Sequence, residues 1–115
     1  MRVFIAGPLT DKDSKRQLKN VEFAIRQGIE VFKRGHIPLI PHLTHYVDEM
    51  TEALTYDDYI KWSTELLKLC DCMLYLGDSK GANIELKMAK SLYIQVFYSI
   101  DDIPDLKGGE IDDSG

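Results

Sequence analysis

An α/β fold, with helices on both faces of a short, mostly parallel sheet of four to five strands, is predicted by three observations. Short apolar or β-prone runs occupy residues 3–6, 37–40, 72–76 and 95–98, and most are bounded by Gly or Pro. The segments between these runs are longer, and the clearest of them carry apolar residues at helical spacing. Strands alternating with helices imply right-handed crossovers and parallel pairing. The chain has 115 residues, of which 44% are hydrophobic, which suits one domain with one core.

Each element has a local reason. Residues 3–6, Val-Phe-Ile-Ala, form an apolar run stopped by Gly7-Pro8, as expected of a buried strand ending in a turn. From residue 15 to 34, Leu18, Val21, Ile25, Ile29 and Phe32 recur at helical spacing, and Gly35 follows as the stop. Residues 37–40 are bracketed by prolines and read as the second strand. Residues 42–55 are polar and without a clean period, a loop with room for a short helix. Residues 56–69 read as a helix with Tyr59, Trp62, Ser63, Leu66 and Cys70 on one stripe. The third strand at 72–76 closes on Gly77-Asp78, a helix covers 81–92, and the last strand covers 95–98. The domain is expected to span 1–104, with 105–115 a frayed acidic tail.

Charge and composition exclude several partners. The net charge of -5, with no basic cluster, argues against a nucleic-acid polymer, whose binding runs on Lys and Arg. It leaves room for one phosphate in a local pocket. No apolar stretch is long enough for a membrane span or a signal peptide, so a cytoplasmic location is expected. Cys70 and Cys72, expected on opposite faces of the strand, are read as reduced thiols in or near the core. His42 and His45 lack a third or fourth partner for a metal, and no cofactor is expected.

In parallel sheets ligands bind beyond the carboxyl ends of the strands. Two turns there are unusual, Gly7-Pro8 and the run Asp78-Ser79-Lys80-Gly81-Ala82 that opens a helix. Asp78 or Ser79 can cap that helix. The Ser79 hydroxyl and the N–H groups of Lys80, Gly81 and Ala82 can converge on one anion, or the turn is an ordinary cap with small residues for packing. Glu85 shares an inner stripe with Ala82, Leu86, Ala89 and Leu92. Its carboxylate either reaches water at the rim of that stripe or faces a crevice, where it would suit attack on a sugar C1′. His42 leaves the end of the second strand and is a further candidate for ligand contact. Tyr56, Tyr59 and Trp62 at helical spacing read as core rather than as a base-stacking platform.

Phe4-Ile5-Ala6-Gly7-Pro8, Gly35-His36-Ile37-Pro38-Leu39-Ile40-Pro41-His42, and Leu69-Cys70-Asp71 together with Ser79-Lys80-Gly81-Ala82-Asn83-Ile84-Glu85-Leu86 resemble the nucleoside 2-deoxyribosyltransferase superfamily. The likeness runs to about Pro104 and is nearest to short bacterial and phage-type members. It implies a flavodoxin-like three-layer sandwich, Glu85 as a nucleophile at C1′, and Ser79 as a ligand for the 5′-phosphate in the manner of the family's nucleotide N-hydrolases. It also implies a homodimer or larger homo-oligomer, with a nucleoside or nucleotide as the small-molecule partner. Two positions depart from the pattern. Phe4 stands where a strand-one tyrosine orients the glutamate, and Ser63 where an aspartate serves the leaving base. Tyr75, Tyr98, His42 and Asp78 are candidates to substitute. Two functions follow: cleavage or exchange of an N-glycosidic bond, favoured by Ser79 with Glu85, or capture of a nucleotide without turnover, favoured by Phe4 and Ser63.

Overall fold

In the computed structural model, which describes residues 1–107, four parallel strands form one sheet in the order β2-β1-β3-β4. The strands are β1 (Arg2–Ala6), β2 (Ile37–Leu39), β3 (Cys72–Tyr75) and β4 (Gln95–Phe97). The principal helices are α1 (Ser14–Lys33), α2 (Thr44–Met50), α3 (Tyr56–Leu67) and α4 (Lys80–Ser91), with short 3-10 turns at Pro41–Leu43 and Ile100–Asp102. This is the three-layer, doubly wound arrangement of flavodoxin-like domains. The stretch at 42–55 contains a real helix, α2, which its irregular apolar spacing obscures.

The two central strands explain their own composition. Val3, Phe4, Ile5 and Ala6 have no solvent exposure, because β1 is covered on both faces. Alternation then sorts the side chains. Val3 and Ile5 pair in register with Cys72 and Leu74 and pack with Ala24 and Val31 of α1 and with Ile103. Phe4, Ala6 and Met73 face the other way, onto Leu67 of α3 and Ala89 of α4.

The helical faces differ from the expected stripes. On α1 the buried residues are Val21, Ala24, Gly28 and Val31, whereas Leu18, Ile29 and Phe32 are exposed. The core-facing stripe is rotated by about one residue step of 100° from the largest apolar side chains. Close approach of helix to sheet explains the choice. A Cβ on Gly28 would lie 2.5 Å from Ile40 Cδ1, so small residues face inward. On α3, Ser63 and Leu67 are the buried residues and Trp62 is exposed; on α4, Ala82, Glu85 and Ala89 are buried, and Leu92 is exposed at the cap.

The ends of the elements follow local rules. Asp13 caps α1 by accepting from the Lys15 N–H, and Gly35 (φ 96°) supplies the left-handed turn after it. Thr55 and Asp58 form a reciprocal capping box at α3. His36, fully buried, joins both ends of the described chain: Nδ1 lies 2.9 Å from the Met1 amino group and Nε2 2.7 Å from the Pro104 carbonyl. Residues 105–107 form a turn in which Leu106 N–H donates to Arg34 O at 2.9 Å; the rest of the expected tail lies outside the described residues.

Cys70 and Cys72 are free and buried, and burial pushes both thiols up to about 11. They face different clusters, but strand alternation is not the reason, since residues two apart on a strand share a face. Cys70 precedes β3, in the turn that leaves α3. No helix among the described residues is long and apolar enough to cross a membrane.

The rotated face of α1 sets a first test. Val31→Ala should destabilise the protein by about 2 kcal/mol, the usual cost of hollowing a core. Phe32→Ala removes a larger side chain and should change stability by no more than about 0.5 kcal/mol. Urea unfolding of both variants checks this, and the reverse ranking would restore the larger stripe to the core.

Candidate functional site

The strand order turns at β1 and β3, and a crevice opens beyond their carboxyl ends. A cavity of about 600 Å³ occupies it. Gly7 contributes from the end of β1; Pro41, His42, Thr44, His45 and Asp48 from the segment after β2; Tyr56, Tyr59, Ile60 and Ser63 from α3; and residues 79–82 with Glu85 from the start of α4. Gly7, His42, Ser79, Lys80, Gly81, Ala82 and Glu85 are thus brought together from three strand ends. Pro8 and Asp78 do not line the cavity. Asp78 instead accepts from Asn83 Nδ2, and Asn83 Oδ1 accepts from the Tyr75 hydroxyl at 2.7 Å. Tyr75 packs edge-on against Tyr98, so that group forms its own network off the cavity.

Glu85 is the central chemical feature. It is only 6% exposed, and none of the described ion pairs involves it. Burial pushes its carboxyl up to about 7, partly offset by a hydrogen bond from Ser63. The Ser63 hydroxyl also lies 3.0 Å from Ile60 O, so its single proton is shared between a carbonyl and the carboxyl. Ser63 therefore contacts the acid directly, at the position where the family resemblance places an aspartate. Phe4 is buried in the core and offers no hydroxyl.

The start of α4 has partly committed its donors. Ser79 Oγ accepts from Ala82 N–H at 3.1 Å as an N-cap, so that N–H is occupied. The N–H groups of Lys80 and Gly81, which precede the helix's own acceptors, have no intrahelical partner, and the Ser79 hydroxyl keeps its proton while capping. Lys80 Nζ lies 5.5 Å from the Tyr56 ring centroid, which holds its charge beside the cavity.

His42 is held from behind. Its Nε2 lies 3.0 Å from Gly7 O, and a carbonyl only accepts, so Nε2 carries the proton. Burial lowers the imidazole's pKa, against the opposing effect of the Gly7 and Pro8 backbone. A neutral ring protonated at Nε2 leaves Nδ1 as an acceptor, and Nδ1 is buried without a partner among the described residues. The Tyr59 hydroxyl is buried and faces Asp48. Burial, then the charge of Asp48 and a hydrogen bond to its carboxylate, raise its pKa, so it stays a neutral phenol.

A wider ring surrounds these groups. Gln17 Oε1 accepts from Asp11 N–H at 3.1 Å, and Gln17 Nε2 lies 3.1 Å from His45 Nδ1. His45 Nε2 lies 2.7 Å from Glu49 Oε1. The amide so ties the loop after β1 to α2. The sequence pattern assigns none of Gln17, Asp48, Tyr56 and Tyr59 to the site, and it places the two tyrosines in the core because helical spacing cannot distinguish a core stripe from a cavity wall. Among the described residues no group of three His, Cys, Asp or Glu side chains is placed to hold a metal ion.

The chain belongs to the family described as "Domain of unknown function (DUF4406)", whose model matches residues 1–98. No curated protein matches it.

Burial of Glu85 has a measurable consequence. Its folded pKa, about 7, lies above the ordinary 4.5. Below pH 4.5 both folded and unfolded states hold the proton and burial costs little. Between 4.5 and 7 the unfolded chain releases it while the folded chain keeps it, so stability falls as pH rises. Glu85→Gln removes this dependence. The variant should gain on the order of 3 kcal/mol relative to wild type between pH 4 and pH 8. Urea unfolding of both proteins at the two pH values tests it, and an unchanged difference would place the carboxyl in water.

Proposed function

We propose that this family member cleaves or exchanges the N-glycosidic bond of a nucleoside 5′-monophosphate or nucleoside, with Glu85 as the nucleophile. The observation that carries this reading is one buried carboxyl, without an ion-pair partner among the described residues, in a cavity whose rim is the N-terminus of α4. The resemblance to the nucleoside 2-deoxyribosyltransferase superfamily supports it, since Ser79 and Glu85 keep the spacing of phosphate ligand and nucleophile.

The chemistry follows from the environment. An ionised Glu85 is poorly solvated, and its charge acts strongly on a cation formed beside it. As the C1′–N bond breaks, its electron pair leaves with the base, which takes up a proton, and positive charge develops at C1′. A carboxylate oxygen bonds to C1′ to give a glycosyl-enzyme. Water then attacks C1′, loses a proton and restores the carboxylate; a second base in place of water gives exchange. The energetic cost of ionising Glu85 in the empty site is offset when the sugar becomes cationic. Ser63, donating to the carboxyl, supports the ionised form.

Phosphate recognition rests on the donors left at α4. Ser79 keeps its hydroxyl proton while capping, and two backbone N–H groups flank it. A nucleoside 5′-monophosphate should therefore bind better than its nucleoside. The helix that borders the site also leaves Trp62 exposed beside Leu43, Val47 and Leu66, which supports self-association as the oligomeric state we propose.

A second reading is nucleotide capture without turnover, favoured by the absence of any hydroxyl at Phe4. Incubation with a panel of nucleosides and nucleoside monophosphates, with detection of free base, separates the two. Glu85→Gln should abolish base release and leave binding within about tenfold, roughly 1.4 kcal/mol. In wild type, kcat/KM should rise with pH through about 7, because the ionised carboxylate is the reactive form. Tight wild-type binding with no release would favour capture. Ser79→Ala should narrow the affinity gap between nucleotide and nucleoside while barely changing nucleoside binding, as read by calorimetry; an equal affinity in wild type would make the turn a helix cap only.

A further inference from the structure

His42 Nδ1 is a buried side-chain polar atom without a hydrogen-bond partner among the described residues, and it belongs to a wall of the Glu85 cavity. Leaving a buried polar group unpaired costs about 1–3 kcal/mol, and one on a cavity wall points to a group that a ligand supplies. His42 can only accept at Nδ1, because Gly7 O takes the Nε2 proton at 3.0 Å.

We infer that His42 is a specificity-determining residue that accepts a hydrogen bond from a sugar hydroxyl of the bound nucleotide. This rests on the glycosidic reading above. A phosphate dianion has no hydrogen to give, and its site lies at Ser79. With the phosphate at Ser79 and C1′ set against Glu85, both on α4, this reading gives the wall that follows β2 to the sugar. His42 is only 2% exposed and follows immediately on Pro41, so the ring is a fixed reader rather than a mobile one. A site with a buried acceptor rejects an analogue that lacks the matching donor, since that acceptor would then remain desolvated and unpaired.

The test is a matched series: one nucleoside 5′-monophosphate, its 2′-deoxy and 3′-deoxy analogues, and an analogue lacking the exocyclic amino group of the base. Binding is read by calorimetry on wild type and on Glu85→Gln, with free base monitored throughout. At least one of the two sugar analogues should bind tenfold or more weakly than the nucleotide that carries both hydroxyls, and His42→Phe should erase that preference. His42→Gln, whose amide can still donate to Gly7 O and accept from a hydroxyl, should retain part of it. In wild type the 15N resonance of His42 Nδ1 should shift on adding the nucleotide and not on adding the rejected analogue, a response that a purely structural histidine would not give. Should His42→Phe fail to fold, the wild-type series and the resonance still decide. Binding of all sugar analogues within threefold would overturn the assignment while leaving the glycosidic reading intact. Loss of affinity only on removing the amino group, erased by His42→Phe, would overturn it in favour of base recognition. Binding of no nucleoside or nucleotide by either protein would overturn both.

Discussion

Keeping one carboxyl out of water at the end of a parallel sheet is the constraint on which the rest of the site depends. Glu85 has no cationic partner among the described residues, and its one polar support is a serine hydroxyl shared with a carbonyl. Such a group is a cost to folding above its unfolded pKa, on the order of 3 kcal/mol. That is a sizeable fraction of the marginal stability of a small domain. The fold carries it beside a sheet whose central residues, Val3–Ala6 and Cys72–Leu74, are buried between two apolar clusters.

The topology converts this local strain in charge into an arrangement. Because strand order turns at β1 and β3, segments leaving three strands meet at one crevice. Each contributes a different chemistry. The end of β1 gives a backbone carbonyl that sets the His42 tautomer. The segment after β2 gives the imidazole, and the start of α4 gives free backbone N–H groups and the carboxyl. A helix N-terminus favours negative charge, yet Glu85 lies beyond the first turn, where the dipole is weak. This separation puts the free N–H groups at one end of the helix and a high-pKa acid further along, the spacing that the proposed nucleotide, with its reacting carbon set back from its phosphate, would require.

Much of this was legible in the chain, and the illegible parts have physical causes. The four strands and three long helices follow from apolar runs and their punctuation, so the parallel α/β order could be read from residues 3–98. Gly7, His42, Ser79 and Glu85 were readable because each lies at a strand end or on an inner stripe. The face of α1 was misread because size was taken for burial; the close contact at Gly28 selects Val21, Ala24 and Val31 over Phe32. The short helix allowed for in 42–55 is α2, but its bounds are not legible because none of its residues is buried, which leaves no period to detect. The pairing of Ser63 with Glu85 joins two helices that are remote in sequence, and no local pattern encodes it. The Nδ1 of His42 gains its meaning only from the carbonyl of Gly7, 35 residues earlier.

The proposed mechanism requires a covalent bond between Glu85 and the sugar. Its most direct test is mass spectrometry of the protein quenched in acid during reaction with a nucleoside monophosphate whose sugar carries an electron-withdrawing fluorine at C2′, which slows release. The account predicts an added pentosyl phosphate on the peptide containing Glu85, absent from Glu85→Gln. Release of free base with no adduct, or with an adduct on another residue, would contradict it.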